Sequence, residues 1–116
     1  MDINQVALIA HEAGRMMQIV NGDPVSPTWD CLPNTDRERI LNGVCFALRK
    51  ETPSPEEMHE NWCKDMYADG YEAGETLDRE NLIHPNLVPY DQLPAPQQAK
   101  DALFSGIVSS LSEFVS

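Results

Sequence analysis

Ser54-Pro55-Glu56-Glu57-Met58-His59-Glu60-Asn61-Trp62 is the stretch from which the fold is read. It opens as a helix start. The Ser54 oxygen can take an orphan amide of the first turn, Pro55 loses nothing there by lacking an N–H, and Glu57 can return a bond to the serine amide. Met58, Trp62 and Met66 follow at i, i+4 and i+8, which draws one apolar stripe down the helix. Gly70 is its natural stop. A stripe of this kind reads first as core, Trp62 included.

Three more helices lie to either side of it. Upstream, Val6, Ala10, Ala13, Met17 and Val20 predict a helix from about Asn4 to Val20, closed by Asn21-Gly22. After a proline-rich loop, Thr35-Asp36-Arg37-Glu38 reads as a capping box for a second helix starting near Asn34 or Thr35. Its stripe is Ile40, Val44 and Leu48 with Leu41 and Cys45, and Arg49 and Lys50 suit its C-terminal dipole. Downstream, glycine and proline breaks fill Tyr71 to Pro94, predicting an irregular loop with a short helical turn near Asp78–Leu82 and a small hairpin. The last helix is predicted from about Pro96 to Val115, burying Leu103, Ile107 and Leu111 with Phe104, Val108 and Val115. No segment alternates with period two, so the class is mainly α: four helices with a long irregular loop before the last.

Composition bounds the rest. The chain has 116 residues, room for one domain, and 8 basic against 19 acidic residues give a net charge of −11. That charge argues against a nucleic-acid polymer or an anionic membrane as partner. No apolar run approaches the roughly 18–20 residues of a membrane span. Met1-Asp2-Ile3-Asn4-Gln5 has no basic leader character, and Cys31, Cys45 and Cys63 are odd in number with no C-x-x-C pair. Free thiols and a cytoplasmic location are the expectation.

The sequence echoes itself. Trp29-Asp30-Cys31-Leu32-Pro33 matches Tyr90-Asp91-Gln92-Leu93-Pro94, and a basic residue, Arg39 or Lys100, follows six positions after each proline. His11-Glu12 on the first helix echoes His59-Glu60 on the third. Helix, loop, aromatic-Asp-x-Leu-Pro, helix, then the same again: the order suggests duplication and a pseudo-two-fold bundle. The pentapeptide has its own physics as a helix-start device. Its leucine staples the incoming chain, its proline fits the first turn, and its aspartate can satisfy free amides.

From Ser54 to about Leu111 the chain resembles the RyR domain, the repeat of ryanodine receptors and of small stand-alone bacterial and phage proteins. The likeness rests on Pro55-Glu56-Glu57-Met58-His59-Glu60-Asn61-Trp62, on Gly70-Tyr71-Glu72-Ala73-Gly74 and on His84-Pro85-Asn86-Leu87-Val88-Pro89-Tyr90-Asp91-Gln92-Leu93-Pro94. The resemblance implies one domain over residues 1–116, with 1–50 a degenerate first half and 54–116 the full repeat. It also implies adenine-nucleotide binding, with an aromatic at the Tyr71 position stacking on the base. Tyr71 stands where the family usually has tryptophan, Ala73 replaces a tyrosine, and the phosphate-pairing arginine is missing or displaced to Arg79.

The residues themselves favour binding over catalysis. No nucleophile–base pair, glycine-rich phosphate cradle or H-E-x-x-H occurs. His11, His59 and His84 show no convergent metal-ligand spacing, so each imidazole is expected to bond a backbone carbonyl and lock a loop to a helix. The candidate ligand residues are Arg15, Trp29, His59, Trp62, Tyr71, Arg79, His84, Pro85, Tyr90 and Lys100: aromatics beside breaks, and scarce cations. A base and a phosphate require such a set, stacking being worth about 1–3 kcal/mol per base. The expectation is a non-enzymatic module for a small anionic, adenine-nucleotide-like ligand, without cofactor or metal. By analogy alone it could sequester a nucleotide messenger, in the host cytoplasm if phage-encoded. The alternative is a ligand-free interaction or scaffold domain, a homodimer through the apolar surface of the last helix.

Overall fold

The structure, a computed structural model, describes residues 1–49 and 53–115. Four helices carry the chain: α1 (Ile3–Asn21), α2 (Asn34–Arg49), α3 (Pro55–Ala68) and α4 (Ala95–Leu111). Two short strands, β1 (Glu72–Ala73) and β2 (Ile83–His84), lie between α3 and α4, and 3-10 turns occupy Trp29–Cys31, Tyr90–Gln92 and Ser112–Phe114. The class is mainly α.

Local chemistry sets each boundary. The Asp2 carboxylate accepts the Gln5 amide at 2.9 Å, and Gln5 Oε1 accepts the Asp2 amide at 2.9 Å, so α1 begins on a reciprocal cap. It ends where Gly22 turns to φ 72°, a conformation that side chains resist. At α3 the Ser54 box forms as the sequence predicts, with Ser54 Oγ accepting the Glu57 amide at 3.1 Å and Glu57 Oε1 accepting the Ser54 amide at 3.0 Å. Gly70, at φ 92°, closes that helix.

Other boundaries differ from expectation. Thr35-Asp36-Arg37-Glu38 is not a capping box: α2 starts at Asn34, which places Thr35 inside the first turn. The Pro33 carbonyl accepts the Asp36 and Arg37 amides instead, at 3.0 and 3.1 Å, and the Pro94 carbonyl does the same for Gln97 and Gln98. Leu32 and Leu93 are buried at 7% and 5% exposure, the expected staple. Asp30 and Asp91 are exposed and make no hydrogen bond to an amide among the described residues. Arg49 Nε reaches the Cys45 carbonyl at the end of α2, while Lys50 falls outside the described residues. Between α3 and α4, Asp78 and Ile83 exchange two backbone bonds at 2.9 Å, a one-bridge hairpin tightened by Asp78 accepting from Asn81. The same Ile83 pairs in parallel with Glu72, because the chain has doubled back before reaching β2. α4 stops at Leu111 rather than Val115 and continues as a 3-10 turn.

The helices pack reciprocally. α1 lies on α2 and α4, α3 lies on α2 and α4, and α2 lies on α4. Exchanging the two halves, α1 for α3 and α2 for α4, leaves this pattern unchanged, the mark of a two-fold relation rather than a shift along the chain. The core draws on all four helices: Val6 and Ala7, Val44 and Ala47, Met58, and Val108. Val6, Val44 and Val108 are fully buried, each worth about 1.5–3 kcal/mol. Phe104 and Leu111 of α4 and Val115 beyond its end pack around them, whereas Leu103 and Ile107, though half-buried too, are not among the residues packed on this core.

Candidate binding cleft

In each half of the molecule one histidine ties a loop to a helix, in the same way. His11 of α1 donates from Nε2 to the Pro27 carbonyl at 2.7 Å, and His59 of α3 donates from Nε2 to the Val88 carbonyl at 2.7 Å. Each carbonyl lies two residues before the aromatic of the repeated pentapeptide. The rings also meet those aromatics alike, His11 and Trp29 at 6.0 Å with 58° between planes, His59 and Tyr90 at 6.2 Å with 59°. These bonds hold both loops against the helices, as the sequence reading required. His84 departs from it: Nδ1 accepts the Asn86 amide at 3.1 Å, which places the ring proton on Nε2.

Loops pinned this way wall a cleft of about 510 Å³ between α1 and α3, with α2 and α4 beneath. Arg15, His59, Trp62, Arg79, His84 and Lys100 line it, so six of the ten sequence-predicted residues converge. Trp29, Tyr71, Pro85 and Tyr90 do not line it. Trp29 packs on the core and borders a separate shallow recess with Arg37 and Leu41. Tyr90 stands behind His59. The aromatics at the cleft are therefore Trp62 on its wall and Phe104 on its floor, not the Tyr71 that the family resemblance points to. Met58 and Met66 are buried, but Trp62, one turn from each, turns its half-exposed ring to the cleft beside His59 (5.6 Å, near-parallel) and His84 (4.9 Å, edge-on).

Charge gathers here against the trend of the chain. Arg15, Arg39, Arg79 and Lys100 line the cleft, half of the 8 basic residues in a protein of net charge −11. Three carboxylates, Asp36, Asp65 and Asp101, stand among them. Arg15 is held by the Ser26 carbonyl and Glu12, both at 2.9 Å, within a strap completed by Gln18 and Ser26. Arg39 pairs with Asp69 and lies 3.9 Å from Asp65. Arg79, mostly exposed, lies 3.8 Å from Asp36.

Lys100 differs from these. Among the described residues its ammonium has no hydrogen bond and no ion pair, although the side chain is half-buried against α1, where a Cβ on Gly14 would sit 3.5 Å from Lys100 Cε. Burial pushes its pKa below the ordinary lysine value, against the pull of Asp101 and Asp23. Asp101 is the complementary case. Its Oδ1 accepts from Gln97, its buried Oδ2 has no hydrogen-bond partner among the described residues, and burial raises its pKa. His84 reports the combined field: burial, then Arg79, Arg39 and Lys100, bring its pKa down to about 4. Three cations thus act on one neutral ring at the cleft wall.

His11, Gln18, Arg39 and Asp101 also line the cleft and were absent from the sequence-derived site. The echo held the signal for two of them. It paired His11 with His59 and Arg39 with Lys100, and only the second member of each pair was carried into the site.

No helix among the described residues is long and apolar enough to cross a membrane. The family model of the RyR domain matches residues 51–111, just over half of the chain, covering α3, both strands and α4. Among curated proteins, none matches the sequence.

Proposed function

This chain belongs to the RyR domain family, and from that premise we propose that its cleft binds a small anionic ligand of the adenine-nucleotide type, which the protein holds rather than transforms. One observation carries the reading: a half-buried Lys100 ammonium, unpaired among the described residues, opens into a largely apolar cleft already lined by three arginines. A cation desolvated without a partner is costly, and a bound anion offsets that cost. Trp62 offers the flat apolar face a base needs, and 510 Å³ lies within the range of small-molecule pockets. The histidines favour holding over catalysis, since His11 and His59 spend Nε2 on loop carbonyls. Such a protein acts as a sensor or as a sink for its ligand.

A thermal-shift panel of ATP, ADP-ribose, cyclic ADP-ribose and cyclic dinucleotides tests this. A nucleotide at 100 times its Kd adds about 2.7 kcal/mol of stability, and Lys100→Gln removes the gain. A flat response across the panel contradicts it.

A second reading has its own support. Leu8, Ile9, Met16, Ile19 and Val20 share one exposed face of α1, Val20 being 81% exposed. The sequence placed a sticky surface on the last helix, but most of that stripe is packed inward and only Phe114 is prominently exposed. Self-association would therefore use α1. A dimer by light scattering that Met16→Glu dissolves, with no nucleotide response, favours the scaffold reading.

A further inference from the structure

The cleft is built twice on one plan, which bears on how many charges its ligand presents. We propose that it contains two anion subsites, one in each half, with Lys100 of α4 and Arg39 of α2 as equivalent cations, so that the ligand carries two separate anionic groups. This rests on the cleft being the anion site argued above, and is independent of the ring that Trp62 holds.

Gly43 and Phe104 locate the axis. They occupy equivalent positions, four residues after Arg39 and after Lys100, and both line the cleft floor. A Cβ on Gly43 would lie 3.5 Å from Phe104 Cζ. Equivalent residues touch each other only where the axis passes, so the axis runs through the floor between α2 and α4. Arg39 and Lys100, one helical turn earlier on their respective helices, flank it from opposite sides. Lys100 lies over Gly14 of α1, and Arg39 lies over α3, with Nε against Met66 Sδ at 3.1 Å. Both bias the same ring, His84.

The subsites are equivalent in position and unequal in state. Lys100 is unpaired. Arg39 already holds Asp69 through Nη2, yet its Nη1 has no hydrogen bond among the described residues and can meet an anion while that pair persists. The walls differ too: Trp62 stands where the other half has Gly14. A ligand with two separated phosphates and one ring fits this arrangement, and the second phosphate binds at the high effective concentration created by the first.

Titration of the ¹⁵N-labelled full chain with inorganic phosphate, followed by NMR, counts the subsites without assuming a spacing. Two saturable sets of amide shifts are expected, one around Gly14 and Lys100, the other around Arg39 and residues 65–69. Lys100→Gln should remove the first set and Arg39→Gln the second, while Arg39→Lys, which keeps the charge, retains it. A single set, a second set that survives Arg39→Gln, or no set at all overturns the proposal. If Arg39→Gln fails to fold, the wild-type count decides. One phosphate set together with a thermal shift from ATP removes the two-anion proposal and leaves the nucleotide reading standing; absence of both removes the two together.

Discussion

Lys100 crosses from α4 to lie over Gly14 of α1, its Cε 3.5 Å from where a Cβ would stand. The ammonium is thereby carried into the cleft at the cost of part of its hydration, with no partner among the described residues in return. Stability and binding should then move in opposite directions at this residue. Lys100→Met should raise the ligand-free Tm, by about 4–8 °C for each kcal/mol recovered in a domain near this size, and lower nucleotide affinity at least about tenfold. Differential scanning calorimetry and isothermal titration check the two halves separately. A Tm that falls shows that the ammonium is satisfied.

His59 and His11 make one bond twice, in surroundings of different depth. His59 is 6% exposed, whereas the His11 bond lies at the surface. Replacing His59 with Phe leaves the Val88 carbonyl without its partner in a part-buried position and should cost about 1–3 kcal/mol. His11→Phe exposes the Pro27 carbonyl to water and should cost about 1 kcal/mol or less. Urea denaturation gives both numbers; equal costs would contradict the difference in depth.

Gly74 is fixed by Ile83. A Cβ at Gly74 would come 2.2 Å from Ile83 Cγ2, inside any allowed contact, and the β-branched side chain has little room to turn away. Gly74→Ala should destabilise by about 1–3 kcal/mol and loosen the β1–β2 pairing that delivers His84 to the cleft. Hydrogen exchange at the Glu72 amide, which donates to the Leu82 carbonyl at 2.8 Å across that pairing, should quicken in the variant. Unchanged exchange there would show that the segment yields without loss.

The sequence carried the helices well, because each has a chemical signature at its start or a stripe along its length. Ser54-Pro55-Glu56-Glu57 formed the predicted cap with both of its bonds. Thr35 misled for a physical reason: Leu32-Pro33 had already anchored the chain, so the helix began before the threonine could cap it. The cleft was only half legible. Lys100 and Trp62 stood out by type, whereas the value of Gly14 lies in having no side chain where Lys100 crosses, which no local pattern announces. Tyr71 looked suited to the site by its place after a glycine. Its distance from the cleft depends on how residues 71–84 double back, and that is decided by tertiary contacts such as Ile83 on Gly74.

His84 should register the arrival of an anion. Free, it titrates near 4, because burial and then Arg79, Arg39 and Lys100 oppose its charging. The unfolded chain takes up that proton nearer 6.5, so this group lowers ligand-free stability as pH falls from about 6.5 towards 4. A bound anion offsets the three cations and raises the His84 pKa. Binding then takes up a proton and tightens as pH falls through that window. NMR titration of the His84 ring with and without sulfate, whose charge is constant over this range, follows the change. A free value near 6.5, or one that sulfate leaves unmoved, contradicts the arrangement.

Trp62 permits the most direct test, since the chain has only two tryptophans and the other, Trp29, does not line the cleft. In a Trp29→Phe protein, titration with each nucleotide of the panel reads out the ring at the cleft alone. Saturable quenching of Trp62 fluorescence by at least one adenine nucleotide is expected, abolished when Lys100→Gln is added. Fluorescence that no nucleotide alters, or quenching that persists undiminished without the Lys100 ammonium, would contradict it.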